Sequence, residues 1–367
     1  MKLTIKRSVL LELVESVYEA IPPQSSDPCY KNYLLTISNS GIDLLGSDGS
    51  LSILGHLDLN QEGIINYEFG AVQIPAKYLA DIVRKLVSDV LTLELIDESL
   101  LYISNEDSQF RLNINKAEEY PDIDMTLANG EELNLKFKDF LKLYNSTSFA
   151  VATKGPKELY CGINIQARDN KLTFAATDSF RLARRYVPLE GDYHVSLTVP
   201  SKTLAIVSHF GEFEDISIKV DSSKVLFKIG NYVISSKIYN GEFPNVDRFV
   251  PVATSYLLNV NSKEFLNTID LITSVGNEKM LINANTEKVE VSSKDLAVGS
   301  SKAVLKDAKF TGEVFSIIFN ANFVREAIKA MDSERVTLAF TSESRSFLVK
   351  NDDVTITQVI TPIRTMD

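Results

Sequence analysis

A chain of 367 residues with 38 Lys and Arg against 49 Asp and Glu carries a formal charge of −11, which excludes indiscriminate coating of nucleic acid, because phosphate binding depends on cationic side chains. Apolar residues make up 44% and charged residues 24%, the balance of a globular protein, and the length suits two to three domains of ~100 to 200 residues. Only Cys29 and Cys161 are present, Met1 to Arg7 lacks an apolar signal core, and no run nears the ~20 apolar residues that span a bilayer, so a cytoplasmic protein with no membrane segment and no disulfide framework is expected.

The first apolar stripe, Val9, Leu10, Leu13, Val14 and Val17, has helical spacing and follows a short strand. Strand signals follow at Ile42 to Leu45, then a helix after Ile74-Pro75, then strands at Leu91 to Ile96 and Leu100 to Ile103. The same order returns with a helix near Phe140, strands at Leu172 to Ala175, Ile216 to Val220 and Val225 to Ile229, and a helix after Val199-Pro200. It returns again with helices near Phe265 and after Phe319, and strands at Val289 to Ser292, Val336 to Phe340 and Ser346 to Val349. Pro75 and Pro200 suit helix starts, where the missing N–H is not needed.

Three tandem copies of one unit are therefore predicted. Ile74-Pro75-Ala76-Lys77, Val199-Pro200-Ser201-Lys202 and Phe319-Asn320-Ala321-Asn322 open equivalent helices, and Tyr120-Pro121-Asp122 matches Phe243-Pro244-Asn245, with Pro362 in the third place. The period of ~120 residues is far longer than that of a solenoid, so each copy can hold its own core. The expected domains are 1–123, 124–246 and 247–367, each α+β with two helices among about eight strands.

The central copy carries Ala176-Thr177-Asp178-Ser179-Phe180-Arg181-Leu182-Ala183-Arg184-Arg185, a strand, a turn and a second strand. Asp and Ser at the turn can bond their own backbone. Ser47-Asp48 and Lys294-Asp295 end the corresponding strands of the other copies. On the second helix of each copy, Lys77, Lys202 and Asn322 align, as do Arg84, His209 and Lys329 seven residues later, with Lys85 and Arg325 nearby. Residues seven apart share a helix face, so an acidic chain sets cations on a recurrent face that suits phosphate.

An enzyme is disfavoured. Asp48, Asp178 and Asp295 are candidate acid–base groups of a hydrolase, yet equivalent positions of successive domains lie too far apart to share a substrate. His56, His194 and His209 show no zinc-ligand spacing, and neither a phosphate-cradling Gly loop nor a Gly-x-Ser-x-Gly elbow occurs. No catalytic residue, metal site or cofactor is expected. A three-domain repeat scaffold that only binds protein partners is a further reading of the repeats.

The sequence resembles the bacterial DNA polymerase III beta subunits, the beta sliding clamps, over its whole length. The residues that carry the resemblance are Ala176-Thr177-Asp178-Ser179-Phe180-Arg181-Leu182-Ala183 for the family's Ala-Thr-Asp-Gly-His-Arg-Leu-Ala, and Asn240-Gly241-Glu242-Phe243-Pro244-Asn245 for Asp-Gly-Arg-Phe-Pro-Asp. Gly276-Asn277-Glu278-Lys279 stands for Ser-Asn-Glu-Lys and Thr361-Pro362-Ile363-Arg364 for Met-Pro-Met-Arg. Phe180 replaces the family's His, Ser179 its Gly and Thr361 its Met, and the chain runs on through Met366-Asp367.

The resemblance implies a head-to-tail homodimer whose six domains form a ring around double-stranded DNA, without sequence preference and without chemistry of its own. Implied partners are the alpha subunit of the replicative polymerase, a clamp loader and other clamp-motif proteins. Carried over residue by residue, the peptide cleft comprises Tyr160, Thr177, Phe180, Arg181, Leu182, Pro244, Arg248, Phe249, Val359, Ile360, Pro362, Ile363 and Arg364. The DNA-facing set is Lys77, Arg84, Lys85, Lys202, Arg325 and Lys329, and the implied dimer contacts are Phe110 and Leu112 against Leu271, Ile272 and Val275.

Overall fold

Each repeat opens on a strand that runs straight into a helix, where apolar spacing changes from two to three and four. The computed structural model describes residues 1–97, 99–127, 129–155, 157–275, 277–295 and 297–364. Gly276 of the third family motif and the terminal Met366-Asp367 lie outside the described residues.

The first repeat comprises β1 (Lys2–Lys6), α1 (Arg7–Tyr18), β2 (Asn32–Ser38), β3 (Gly41–Ser47), β4 (Leu51–Leu57), β5 (Ile64–Glu68), β6 (Gly70–Pro75), α2 (Ala76–Lys85), β7 (Val90–Asp97), β8 (Leu100–Ser104) and β9 (Gln109–Asn113). The second has β10 (Glu131–Lys136), α3 (Phe137–Asn145), β11 (Gly162–Arg168), β12 (Lys171–Thr177), β13 (Arg181–Pro188), β14 (Val195–Pro200), α4 (Ser201–Ser208), β15 (Asp215–Val220), β16 (Lys224–Ile229) and β17 (Tyr232–Lys237). The third has β18 (Tyr256–Asn261), α5 (Ser262–Thr273), β19 (Lys279–Ala284), β20 (Val289–Asp295), β21 (Gly299–Leu305), β22 (Ala308–Thr311), β23 (Phe315–Asn320), α6 (Ala321–Met331), β24 (Arg335–Phe340), β25 (Phe347–Lys350) and β26 (Ile356–Ile360).

Helix starts differ from the sequence reading by a residue or a turn. Pro75 is the N-cap of α2 and the last residue of β6, and Pro200 likewise ends β14. α3 and α5 begin three residues before Phe140 and Phe265, because the apolar stripe marks the buried face whereas capping sets the first turn. At α5 the side chain of Asn261 accepts the N–H of Glu264, satisfying a donor the helix leaves open.

Contacts divide the chain into two compact units that cut the middle repeat. One contains Met1–Phe137 with Ala205–Ile238; the other contains Lys138–Leu204 and the chain from Tyr239 onward. In the first unit the sheet orders are β5-β1-β7-β8-β9 and β10-β15-β16-β17-β4-β3-β2-β6. The longer sheet joins two repeats where β17 pairs antiparallel with β4, from Tyr232↔Gly55 to Ser236↔Leu51. A Cβ on Gly55 would collide with Leu13 and press on the Tyr232 ring, so this seam needs a residue without a side chain. Leu10, Leu13, Val14 and Val17 of α1 and Leu79, Ala80 and Val83 of α2 close the core.

In the second unit the orders are β14-β11-β12-β13-β26-β25-β24-β18-β22 and β21-β20-β19-β23. Here β13 pairs with β26, from Arg181↔Ile360 to Arg185↔Ile356. The core is aromatic at its centre, with Phe340 5.0 Å from both Phe315 and Phe347 between ring centroids. Phe265, Ile269 and Phe319 pack into the same cluster.

Asp124 follows the Tyr120-Pro121 junction and is tied to the second repeat by Lys224, whose Nζ donates to its carboxylate at 2.7 Å and to its carbonyl at 3.0 Å. Hydrogen bonds from Lys224, from the Thr126 hydroxyl and from the Thr126 N–H hold this carboxyl well below the usual carboxylate range. A depressed folded pKa makes the contribution to stability complete above the unfolded value of about 3.9 and lost as pH falls through the folded pKa. The expected result is an Asp124 carboxyl carbon whose NMR shift stays flat while exposed aspartates titrate; Lys224→Met should move its midpoint up toward the usual range while the Thr126 bonds keep part of the depression, and an unchanged curve in that variant would contradict the assignment.

Candidate functional site

The turn between β12 and β13 is built by local side-chain chemistry. Asp178 Oδ1 accepts the N–H groups of Phe180 and Arg181 at 2.9 and 3.0 Å, while Thr177 Oγ1 accepts from the Ser179 N–H at 3.1 Å and donates to the Arg181 carbonyl at 2.6 Å. Ser179 has φ +80°, the conformation for which the family's glycine is suited and which a serine adopts at some cost. Asp48 makes the same turn, accepting from Ser50 and Leu51, and Asp295 does so with Ala297 and Val298. The three equivalent aspartates are thus engaged in holding turns. Among the described residues no group of three or more His, Cys, Asp or Glu is placed to hold a metal.

The turn projects Phe180 to 61% exposure, and the short helix Val246–Phe249 projects Phe249 to 59%. Both border a cavity of about 130 Å³ formed by Tyr160, Thr177, Ser179, Phe180, Arg181, Leu182, Pro244, Val246, Phe249, Ser346, Val359 and Thr361. Two large exposed aromatics over an apolar floor are what an anchor side chain requires. Thr361 closes one side: its N–H and its hydroxyl both donate to the Phe180 carbonyl, at 2.9 and 2.8 Å.

Eight of the cleft residues expected from sequence meet in this cavity, and five do not line it. Ile360 points the other way into the aromatic core, 2% exposed, because strand alternation sends Val359 and Ile360 to opposite faces. Arg248 and Arg364 are exposed outside the cavity, and Pro362 and Ile363 continue past it, the Ile363 N–H donating to the Ile318 carbonyl at 2.7 Å. Arg181 lines the cavity but is already engaged. Its Nε donates to Asp178 at 2.9 Å, it pairs with Glu326, and its guanidinium lies 4.5 Å from the Phe323 ring centroid. Ser179, Val246, Ser346 and Thr361 were missed; Ser179 and Thr361 sat inside quoted motifs, whereas nothing local marks Ser346.

Sheet edges carry the second feature. By position in the repeat, β9, β17 and β26 are equivalent last strands, and β4, β13 and β21 are equivalent as well. β17 pairs with β4 and β26 pairs with β13, which leaves β9 and β21 as edges of their own sheets. Phe110 and Leu112 of β9 are half-buried. On α5, Leu271 is 65% exposed, with Val275 just beyond at 41%. Ile272, by contrast, is 1% exposed in the core and cannot serve as a contact, since the helix turns it to the same side as Phe265 and Ile269.

Three models of DNA polymerase III beta subunit domains match the chain in order, the N-terminal at 1–124, the central at 134–245 and the C-terminal at 247–364. The chain belongs to the DNA polymerase III beta subunit family, the beta sliding clamps. It is 29% identical to the beta sliding clamps of Staphylococcus epidermidis and Staphylococcus aureus, over all of this chain and all of each relative. The solved sliding clamp of Bacillus subtilis superposes with a TM-score of 0.94 at 26% identity and full coverage of both chains. A Pseudomonas aeruginosa clamp bound to griselimycin, at 20% identity and full coverage of both chains, shares the fold with a TM-score of 0.93.

The basic helix faces of this clamp are less uniform than their spacing suggests. Lys77, Arg84 and Lys85 all lie on the exposed face of α2, opposite Leu79, Ala80 and Val83. Arg84 nevertheless reaches Glu15 at 3.1 Å and Asp81 at 3.4 Å. On α6 the half-buried Arg325 bonds Asn322 and Thr273, and its Nε lies 2.9 Å from Asp270 without hydrogen-bond alignment. His209, just past α4, lies 3.5 Å from Glu19. Lys202 is exposed at the start of α4. Among the described residues Lys77, Lys85 and Lys329 have no carboxylate within 4.0 Å, so they carry the unneutralised part of the expected DNA-facing set.

Proposed function

We propose that two copies of this clamp close head to tail around duplex DNA, each contributing three domains with boundaries near residues 124 and 247, and that partner proteins dock short peptides in the Phe180–Phe249 cavity. The observation that carries the ring is the pair of unmatched edges. Two seams within the chain join the last strand of one repeat to the fourth strand of the repeat before it, and β9 and β21 are the remaining members of that series. Joining β9 to a partner's β21 removes both edges, as a closed heterologous assembly does. The polymerase alpha subunit, the clamp loader and other clamp-motif proteins are the proposed peptide donors, in the cytoplasm, with no catalysis and no cofactor.

Lys77, Lys85 and Lys329, with Lys202, Arg84 and Arg325 beside them, then line the hole as a loose electrostatic surface. Direct contacts to phosphate weaken steeply with salt, whereas a ring threaded on a circle stays on. The test is gel filtration of clamp loaded on nicked circular DNA, washed in high salt before and after linearisation. Retention on the circle and release from the linear form is expected; equal behaviour on both would favour a scaffold that does not encircle DNA.

A further inference from the structure

A second cavity, of about 470 Å³, adjoins the anchor cavity, and the two share Pro244 and Val246. Both lie on one face of one sheet. Along β12 the side chains of Lys171, Thr173, Ala175 and Thr177 alternate to the same side, opposite Pro188, Tyr186, Arg184 and Leu182 of β13. Thr177 and Leu182 line the anchor cavity, and the other residues of that face apart from Pro188 line the second one. This cavity-lining face therefore runs ~20 Å from Thr177 to Lys171, at ~3.3 Å per residue.

Charge gives this groove a direction. At the anchor end Arg184 is paired with Asp247. At the far end Arg168 and Lys171 face each other across β11 and β12, both exposed, and among the described residues neither has a carboxylate within 4.0 Å. Lys171 Nζ lies 4.6 Å from the Tyr186 ring centroid, which keeps it over the groove. Asp169, within the same hairpin, and Glu242 also border the cavity, so the cationic excess is the two unpaired side chains of Arg168 and Lys171 less one carboxylate, and it is confined to this end of the groove.

We propose that this groove continues the peptide site and selects partners whose sequence beside the apolar anchor is acidic, with carboxylates about five or six residues away meeting Arg168 and Lys171. The inference rests on the anchor reading above, and continuity of one sheet face is what extends it. Phe180 and Phe249 hold the apolar pair while the flanking segment lies along β12 and β13, past Thr173 and Tyr186.

The probe is a labelled Gln-Leu-Ser-Leu-Phe peptide measured by fluorescence anisotropy, alone and with Gly-Ser-Gly followed by three Glu, placed at either end. Lysine versions of both extensions serve as controls. One glutamate extension should bind about five- to tenfold more tightly than its lysine counterpart at low ionic strength, an advantage that shrinks with salt. In Arg168→Glu combined with Lys171→Glu the preference should reverse, read as the ratio of extended to short peptide on the same protein. A short peptide that binds while neither acidic extension gains over lysine overturns the groove and leaves the anchor cavity standing. A preference that persists in the double variant overturns it equally, and a short peptide that fails to bind overturns both readings.

Discussion

In sedimentation, the wild-type clamp is expected at twice its chain mass of 40.9 kDa, and Phe110→Asp combined with Leu271→Asp is expected as a folded monomer at micromolar concentration. In a lone chain both positions tolerate the change, since Phe110 is half-buried on an edge strand and Leu271 is 65% exposed on α5. Across the proposed β9–β21 seam each would be enclosed, and burying an apolar side chain of this size is worth about 1.5–3 kcal/mol. Aspartate forfeits that and adds the cost of desolvating a carboxylate, so each seam should weaken by roughly two to four orders of magnitude in dissociation constant. α5 is fastened to β21 by the Ser301 hydroxyl, which donates to the Ile272 carbonyl at 2.7 Å, so Leu271 accompanies that edge. A urea midpoint near wild type in the monomeric variant would show that the interface and not the fold was lost. A wild type that sediments as a monomer, or a double variant that remains a dimer, would refute the seam.

Removal of Thr361 to Asp367 should abolish binding of the Gln-Leu-Ser-Leu-Phe peptide, by more than about tenfold, and leave the dimer mass unchanged. Thr361 is both a wall of the anchor cavity and the clasp of its opposite side, because its N–H and hydroxyl hold the Phe180 carbonyl. Without it the exposed Phe180 turn loses two hydrogen bonds, each worth about 0.5–1.5 kcal/mol, and the pocket is no longer pre-formed. β26 ends at Ile360, so the sheet seam with β13 survives the cut. Leu182→Ala should cost about 1–3 kcal/mol of binding. Ile363→Ala should cost much less, since the chain carries Ile363 past the cavity. Anisotropy that matches wild type in a dimeric truncated clamp would place the anchor site elsewhere.

Much of the site was readable because it is local. The Thr177 to Leu182 turn depends on bonds between residues two to four apart, and the same Asx chemistry at Asp48 and Asp295 made the repeat visible. Helical stripes such as Val9 to Val17 were readable for a similar reason, their period being set by the helix itself. The sequence also suggested that Arg84, Arg181 and Arg325 were available cations, and this is where locality failed. Asp81 and Asp178 stand only three residues from Arg84 and Arg181, but Glu15 lies 69 residues from Arg84 and Glu326 lies 145 from Arg181, so folding adds neutralising groups that no local pattern shows.

The sequence by itself determined three repeats of one α+β unit, the turns that end their strands and the apolar faces of their helices, because periodicity and side-chain-to-backbone bonding act within a few residues. Only the tertiary structure decided that β17 joins β4 and β26 joins β13, leaving β9 and β21 as edges. It also decided that Ile272 and Ile360 turn inward while Ser346 and Val246 reach the cavity. Alternation says that a strand has two faces, but which face meets the core and which edge meets a neighbour depends on pairings between residues far apart in the chain.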